Sequence, residues 1–373
     1  MKSSKLFTPG PLNTSLEVKQ AMLQDWGSRD QQFGYKIASI QASLLKLAGV
    51  TKPVFEAILM QGSGTFALEA ALGTLMPPKG KLLALVNGAY GRRLIQMAEV
   101  LGIEAVKVEL PENQAFCIQD VKAALKENEA ISMVSMVHCE TSSGLMNPTT
   151  EIGALLQSKE IPFMVDAMSS FGGVPIQLEK DGIDILISSA NKCIQGVPGF
   201  GFVLLRQELL KQSEGQARSL SLDLYAQGKG FEQNGQFRFT PPTHALAAFE
   251  QALKELEIEG GVEARAKRYQ ANNSVLLAGM QQLGFEPYLD KTNRGYIITT
   301  FLYPKSPSFD FNRFYDLLAT KNQLIYPGKL TQAACFRIGN IGDLYPEDIR
   351  FLLTCITEVC VEMGFFASVG PHS

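Results

Sequence analysis

The sequence predicts an α/β protein: a mostly parallel sheet flanked by helices, with a smaller C-terminal α+β domain. Three observations lead there. Between residues 53 and 205, short apolar β-like runs alternate with helical runs, the order of a parallel sheet covered on both faces. The polar residues best suited to chemistry fall at or just beyond the ends of those runs, where open α/β sheets bind their ligands. After Gly260-Gly261 the order changes to mixed helices and β-like runs. These breaks divide the chain into an N-terminal arm, 1–15, a large domain, 16–259, and a small domain, 260–373.

The arm carries Thr8-Pro9-Gly10-Pro11, which is extended and helix-averse because proline fixes its own φ and restricts its predecessor. Ser15 can cap a helix running to about Gln24. Ile37, Ile40, Leu44 and Leu47 share one face of a helix over 37–47. A strand over 54–60 runs into Gln61-Gly62-Ser63-Gly64-Thr65, and a helix over 66–75 follows. A strand over 82–86 ends in Asn87-Gly88-Ala89-Tyr90-Gly91, with a helix through Leu101. Then come a strand over 105–110, a short helix over 121–127, and a strongly apolar strand over 131–137 that ends in His138-Cys139-Glu140-Thr141. A helix over 151–158 leads to a strand over 162–165 closed by Asp166. The strand over 183–187 runs into Ser188-Ser189-Ala190-Asn191-Lys192-Cys193, and Pro198-Gly199 opens an apolar run over 200–205. Residues 213–240, rich in Gly, Gln and Ser, read as an irregular excursion. Helices over 243–258 and 262–283 are separated by Gly260-Gly261, a C-cap signal. Runs over 296–303, 324–326 and 336–341 read as strands, and 311–321 and 346–363 as helices.

The totals exclude several kinds of function. Of 373 residues, 46% are hydrophobic and 19% charged, ordinary for a soluble globular protein with a large core. A net charge of −3 with mixed signs along the chain argues against a nucleic-acid partner or a polybasic membrane contact. No apolar run approaches the roughly 20 residues that span a bilayer. Residues 1–11 lack the apolar stretch of a signal peptide. The six cysteines, at 117, 139, 193, 335, 355 and 360, show no CxxC pairing and read as reduced, cytoplasmic thiols. With three histidines (138, 244 and 372) and no clustered ligands, no metal site is expected.

Lys192 stands at the end of a buried strand, where an ammonium is costly to desolvate. Burial lowers a lysine's pKa and makes it a usable nucleophile, which is what holding an aldehyde cofactor as a Schiff base requires. By itself the stretch fits better a lysine that snorkels out of a turn; the other residues reverse that preference. Ser63, Gly64 and Thr65 open a helix after a strand, a seat for phosphate or a plain turn. The third glycine of GxGxxG and the Gly-Lys-Ser/Thr of a nucleotide loop are both missing. Asp166 needs a cationic or N–H partner. A protonated pyridine nitrogen is one, and capping of the turn at Ser169-Ser170 is the alternative. Tyr90 can stack on a planar cofactor or fill a loop. Thr141 can reach a cofactor's phenolic oxygen or help hold Asp166. Arg337, a charge inside an apolar run, suits a bidentate anion or a structural salt bridge. Thr240, before the helix over 243–258, can reach a phosphate across a dimer interface. His138 reads as a satisfied core histidine rather than a general base.

Taken together these segments resemble the class V, fold-type I aminotransferases that use pyridoxal phosphate. The resemblance runs nearly end to end. It is carried by Thr8-Pro9-Gly10-Pro11-Leu12, Leu59-Met60-Gln61-Gly62-Ser63-Gly64, Asn87-Gly88-Ala89-Tyr90-Gly91, Val165-Asp166-Ala167-Met168-Ser169-Ser170, Ser219-Leu220-Ser221-Leu222-Asp223, Phe239-Thr240-Pro241-Pro242 and Phe336-Arg337-Ile338-Gly339. It implies pyridoxal 5'-phosphate as cofactor and a homodimer. Lys192 would form the Schiff base, Asp166 pair with the pyridine nitrogen, and Tyr90 stack on the ring. Ser63, Gly64 and Thr65 would hold the phosphate with Thr240 of the other subunit. Thr141 would lie near the ring oxygen, and Arg337 would grip the acid end of the substrate. The runs over 189–199 and 337–342 resemble those of phosphonate-specific members. They imply 2-aminoethylphosphonate as donor, pyruvate as acceptor, and a place in phosphonate catabolism. Tyr90 where a tryptophan is common, and Asn191 where glutamine occurs, depart from related transaminases and bear on substrate choice. The alternatives are an alanine–glyoxylate or serine–pyruvate transaminase of the same class, a pyridoxal-phosphate lyase or desulfurase, and a non-catalytic nucleotide-binding protein.

Overall fold

A computed structural model describes residues 4–364; the outer residues, with His372 and the last part of the predicted small domain, lie outside it. The central sheet has seven strands: β1 (Phe55–Gly62), β2 (Lys81–Val86), β3 (Glu104–Glu109), β4 (Ile131–Val137), β5 (Phe163–Asp166), β6 (Ile185–Ser189) and β7 (Gly199–Arg206). Their order across the sheet is β1-β7-β6-β5-β4-β2-β3, and only β7 runs antiparallel to its neighbours. The predicted mostly parallel sheet is therefore present, and its single reversed strand follows directly from the lysine loop.

Side chains on alternate positions of a strand face opposite ways, and both faces are apolar here. Leu186, with Val134, Val165 and Phe202, joins α1 (Gln31–Leu47) and α4 (Thr243–Glu259) in one core. Ile185 and Ile187, with Met164 and Val203, face α2 (Gly64–Leu75) and α3 (Ala89–Val100) in another. Burial on both faces explains why these strands read as continuous apolar runs. A third core, around Phe301, Phe314, Phe336 and Ile356, belongs to the C-terminal region. There α5 (Gly261–Gln282), α6 (Phe311–Thr320) and α7 (Pro346–Glu362) surround β8 (Ile298–Leu302), β9 (Tyr326–Pro327) and β10 (Cys335–Gly339), with β10 central. The stop between α4 and α5 is Gly260, whose φ of 106° is left-handed and ends the helix.

Four elements differ from the sequence reading. The helix capped by Ser15 spans only Leu16–Gln20, because i→i+3 bonds at Met22 and Leu23 wind it out early. α1 begins at Gln31, six residues before its first predicted residue, under an Asp30 cap. The excursion over 213–240 contains a helix, Leu224–Asn234, capped by Asp223 and stopped at left-handed Gly235; Gly228 and Gly230 mask its periodicity. The run over 324–326 is split. Gln323–Leu324 pairs with Lys5–Leu6 of the arm, whereas β9 pairs with β10. The arm is thus bound to the C-terminal region.

Candidate active site

Five of the predicted residues or segments sit at the carboxyl ends of parallel strands: Ser63 to Thr65 after β1, Tyr90 after β2, Thr141 after β4, Asp166 at the end of β5, and Lys192 after β6. Asp166 lies between β4 and β6, paired in register with Val137 and Ile187. The strand order brings together residues that are far apart in sequence.

Asp166 is 5% exposed, and its Oδ1 accepts from the Met168 N–H at 3.0 Å. Burial pushes its carboxyl up to about 6, because a desolvated charge is unfavourable. The Met168 hydrogen bond and the Lys192 and Arg93 charges oppose that shift, and Glu140 adds to it. Lys192 is mostly buried, and its Nζ donates to the Pro9 carbonyl at 3.0 Å. Burial lowers its pKa, while Tyr90, Cys193 and Asp166 partly restore it. An amine of reduced basicity near a buried acid of raised pKa is a reactive arrangement.

Ser63 is the N-cap residue of α2, but its side chain makes no capping bond, and Gly62 and Ser63 are exposed. The first-turn N–H groups of a helix lack intrahelical partners and carry partial positive charge. They can seat an anion here. The Arg93 Nη1 donates to the Thr65 Oγ1 at the long distance of 3.5 Å, so a cation stands beside that seat.

Tyr90 occupies the first turn of α3, whose glycine N-cap has no side chain to satisfy it. Glu140 takes over the cap. Its carboxylate accepts from Tyr90 N–H at 3.1 Å, Gly91 N–H at 3.2 Å and the Ser142 hydroxyl at 2.6 Å. Burial raises the Glu140 pKa against these bonds. Burial would also raise that of Tyr90, but Lys329, the Thr141 hydrogen bond, Lys192 and Arg337 together bring it below its ordinary value.

Arg337, on β10, is 2% exposed. Its Nε donates to the Pro327 carbonyl at 2.9 Å and its Nη1 to the Thr141 carbonyl at 2.8 Å. Its partners are two carbonyls and the Tyr90 side chain, rather than the carboxylate of a structural salt bridge. With Nε and Nη1 each on one carbonyl and a further hydrogen bond to Tyr90, the remaining N–H capacity can serve an anion. Thr240 stands apart in this single chain. It is exposed, and its carbonyl, 3.4 Å from the Gln61 amide, is held at the end of β1.

His138 is a buried, neutral core histidine. Its Nδ1 lies 2.9 Å from the Ser170 hydroxyl, and burial pushes its pKa to about 4. Cys193 is no mobile thiolate: its Sγ donates to the Ser169 carbonyl at 3.2 Å, and burial pushes its pKa up to about 12. That removes the chemistry a desulfurase reading needs. Glu140, Arg93 and Lys329 were not singled out in the sequence. An acid among buried residues signals Glu140, and the i,i+3 spacing from Tyr90 signals Arg93. No local signal marks Lys329.

The donor set fits pyridoxal phosphate. A buried carboxylate suits a pyridinium N–H, a buried amine of lowered basicity suits an aldehyde, and an uncapped helix N-terminus suits a phosphate. Residues 27–317 match the family model for aminotransferase class-V. A protein named 2-aminoethylphosphonate–pyruvate transaminase from Bacillus cereus is 48% identical over 357 residues, covering 95% of this chain and 98% of that protein. One of the same name from Vibrio vulnificus is 48% identical over 353 residues, covering 94% and 96%. Among solved structures, the alanine–glyoxylate aminotransferase from Nostoc sp. superposes with a TM-score of 0.89 at 26% identity, covering 96% of each chain. The ureidoglycine–glyoxylate aminotransferase from Bacillus subtilis gives 0.90 at 22%, covering 99% of this chain and 96% of that one, a likeness of fold. The chain belongs to the class-V aminotransferases, enzymes of the pyridoxal-phosphate-dependent fold type I.

Proposed function

We propose that this chain moves the amino group of 2-aminoethylphosphonate to pyruvate, giving phosphonoacetaldehyde and L-alanine. The observation that carries the reading is Arg337, a buried guanidinium turned toward the Lys192–Tyr90 side of the site with no carboxylate partner. The names of relatives that cover nearly the whole chain support the same substrate pair.

When bound, pyridoxal phosphate supplies an electron sink that tolerates negative charge on the substrate carbon. This chain's residues do the rest. Lys192 Nζ is the amine that would hold the cofactor's aldehyde until the substrate amine replaces it. It then takes a proton from the amine-bearing carbon and returns one as general acid. Asp166 would keep the ring nitrogen protonated, and that pairing would offset the desolvation of the carboxylate. Ser63, Gly64 and Thr65 would hold the phosphate with the N-terminus of α2, Tyr90 would support the ring, and Thr141 would orient its oxygen. Arg337 grips the acid group of donor and acceptor in turn, which suits a ping-pong cycle through one anion site.

The reading extends to a homodimer in which Thr240 of the second subunit completes the phosphate site. Exposed Phe66, Leu220 and Phe239 cluster beside the end of β1, the kind of apolar surface that marks an interface. It also extends to a division into an arm, a large cofactor domain and a small domain near residues 15 and 260. Six free cysteines suit the cytoplasm, and no helix of the described residues is long and apolar enough to cross a membrane.

The test is a donor screen. With pyruvate as acceptor, 2-aminoethylphosphonate should yield L-alanine at least about tenfold faster, as kcat/KM, than L-serine does. L-alanine with glyoxylate should be equally outpaced. If either of those pairs is faster, the chain has the sibling activity. A protein that takes up no cofactor is not a transaminase at all.

A further inference from the structure

Four cationic side chains converge on Tyr90. The Lys329 Nζ lies 4.2 Å from the ring centre and the Arg93 guanidinium 5.0 Å, while Lys192 and Arg337 act on the Tyr90 hydroxyl. Three of the four have other work. Arg93 reaches toward Thr65 at the phosphate seat. Lys192 is the amine. Arg337 has two of its N–H groups fixed on carbonyls. Lys329 has no such commitment. Among the described residues, no carboxylate stands within ion-pair distance of it.

The loop that carries Lys329 is nevertheless fixed. It follows β9, and the Thr331 N–H and hydroxyl both donate to Glu112 Oε2, at 3.0 and 3.2 Å. Glu112 is 6% exposed and also accepts from Arg92 Nη1 at 3.0 Å. Arg92 neighbours Arg93 on α3, the helix of Tyr90. The C-terminal region therefore delivers a lysine to the large-domain side of the site through a buried anchor. An ammonium held over a ring but left without an anion is poised for one.

The chemistry of the two acid groups shows what that anion needs. A carboxylate has two oxygens and one charge, which one guanidinium fork satisfies. A phosphonate has three oxygens and up to two charges. The fork leaves the third oxygen and the second charge unmatched, and a compact ammonium on a flexible stem matches both.

We infer that Lys329 gives this site its preference for a phosphonate over a carboxylate, by adding a second cation beside Arg337. This rests on the proposed phosphonate substrate. In the pyruvate and alanine half of the cycle, Arg337 alone holds the acid group.

The experiment uses the holoenzyme and the variants Lys329→Met and Lys329→Arg. Single-turnover rates are read from cofactor absorbance with 2-aminoethylphosphonate and with L-alanine, and 3-aminopropanoate serves as the carboxylate counterpart of the first. In Lys329→Met, kcat/KM for 2-aminoethylphosphonate should fall about tenfold to a hundredfold. The value for L-alanine should fall less than about threefold. Inhibition by methylphosphonate should weaken far more than inhibition by acetate, and Lys329→Arg should recover part of each loss. Equal losses for phosphonate and carboxylate, or no loss for either, would overturn the assignment while leaving the proposed activity standing. A tenfold weaker hold on cofactor in Lys329→Met, measured by absorbance titration, would also overturn it, by placing the lysine at the cofactor. Failure of the wild-type enzyme to use 2-aminoethylphosphonate would overturn the activity and the assignment together.

Discussion

Lys192 Nζ donates to the carbonyl of Pro9 at 3.0 Å, a contact between residues 183 apart in the chain. Gly10 follows with a φ of +130°, and a Cβ added there would come within 2.6 Å of Lys192 Nζ. The N-terminal arm thus lies directly against the amine. Gly10→Ala should cost about 1–3 kcal/mol of backbone strain and displace the lysine, lowering kcat more than cofactor affinity. Melting temperature and steady-state rates check this. Wild-type values for both would mean that the arm withdraws from the amine in the working enzyme.

Lys192→Ala removes the amine placed just after β6. Turnover should fall by at least about a thousandfold. The α2 N-terminus and Asp166 remain, so the variant should still bind pyridoxal phosphate, now without a covalent link. Borohydride reduction followed by mass measurement distinguishes the two states: wild type is labelled at Lys192 and the variant is not. Appreciable turnover by the variant would remove Lys192 from the proposed mechanism.

Asp166 couples function to pH. Its carboxyl is raised from 3.8 to about 6 in the folded chain, so the native state binds more protons than the unfolded state between those values. Stability from this group is full below about pH 4 and is lost as pH rises through 6. The loss amounts to about 3 kcal/mol at pH 7 in cofactor-free protein. Glu140, whose pKa is also raised by burial, acts with the same sign. Asp166→Asn should therefore raise the melting temperature of the cofactor-free protein at pH 7, leave it little changed at pH 4, and reduce turnover about a hundredfold or more. A variant less stable at pH 7 would reveal a cation already paired with the carboxylate.

Glu140 positions Tyr90 by capping α3 with side-chain oxygens. Glu140→Ala leaves those N–H groups and the Ser142 hydroxyl without their acceptor, at a cost of about 2–4 kcal/mol. Cofactor affinity should fall because the ring of Tyr90 loses its fixed place, whereas Glu140→Gln, which keeps one acceptor oxygen, should recover most of it. Denaturation midpoints and cofactor titrations test both. Equal behaviour of the two variants would mean that the charge, not the cap, is what matters.

Much of the site was legible because its residues follow strands whose apolar runs are unbroken. Asp166 closes such a run directly, Lys192 follows one after a few small polar residues, and Ser63 precedes α2 at a glycine turn. Arg337 was visible as a charge inside β10. Other parts were not legible. The helix Leu224–Asn234 is set by its cap and stop rather than by an apolar stripe. Glu140 was not legible as a cap, since nothing local says that its oxygens reach a helix 50 positions earlier. Thr240 is exposed beside the end of β1, and nothing in a single chain shows what its hydroxyl meets.

The sequence by itself determined most of the strands and helices and which polar residues follow the strand ends, because hydrophobic period, caps and turn residues act over a few neighbours. It also determined the pair of buried charges, since an acid or an amine closing an apolar run has to find a partner. Only the tertiary structure decided which of these ends meet, that β7 runs backwards between β1 and β6, that the arm covers Lys192, and that Lys329 and Arg337 reach Tyr90 from the C-terminal region. Those contacts follow from strand order and from the docking of one core on another. Their energy comes from burial summed over many distant residues, and no short stretch of chain carries its signature.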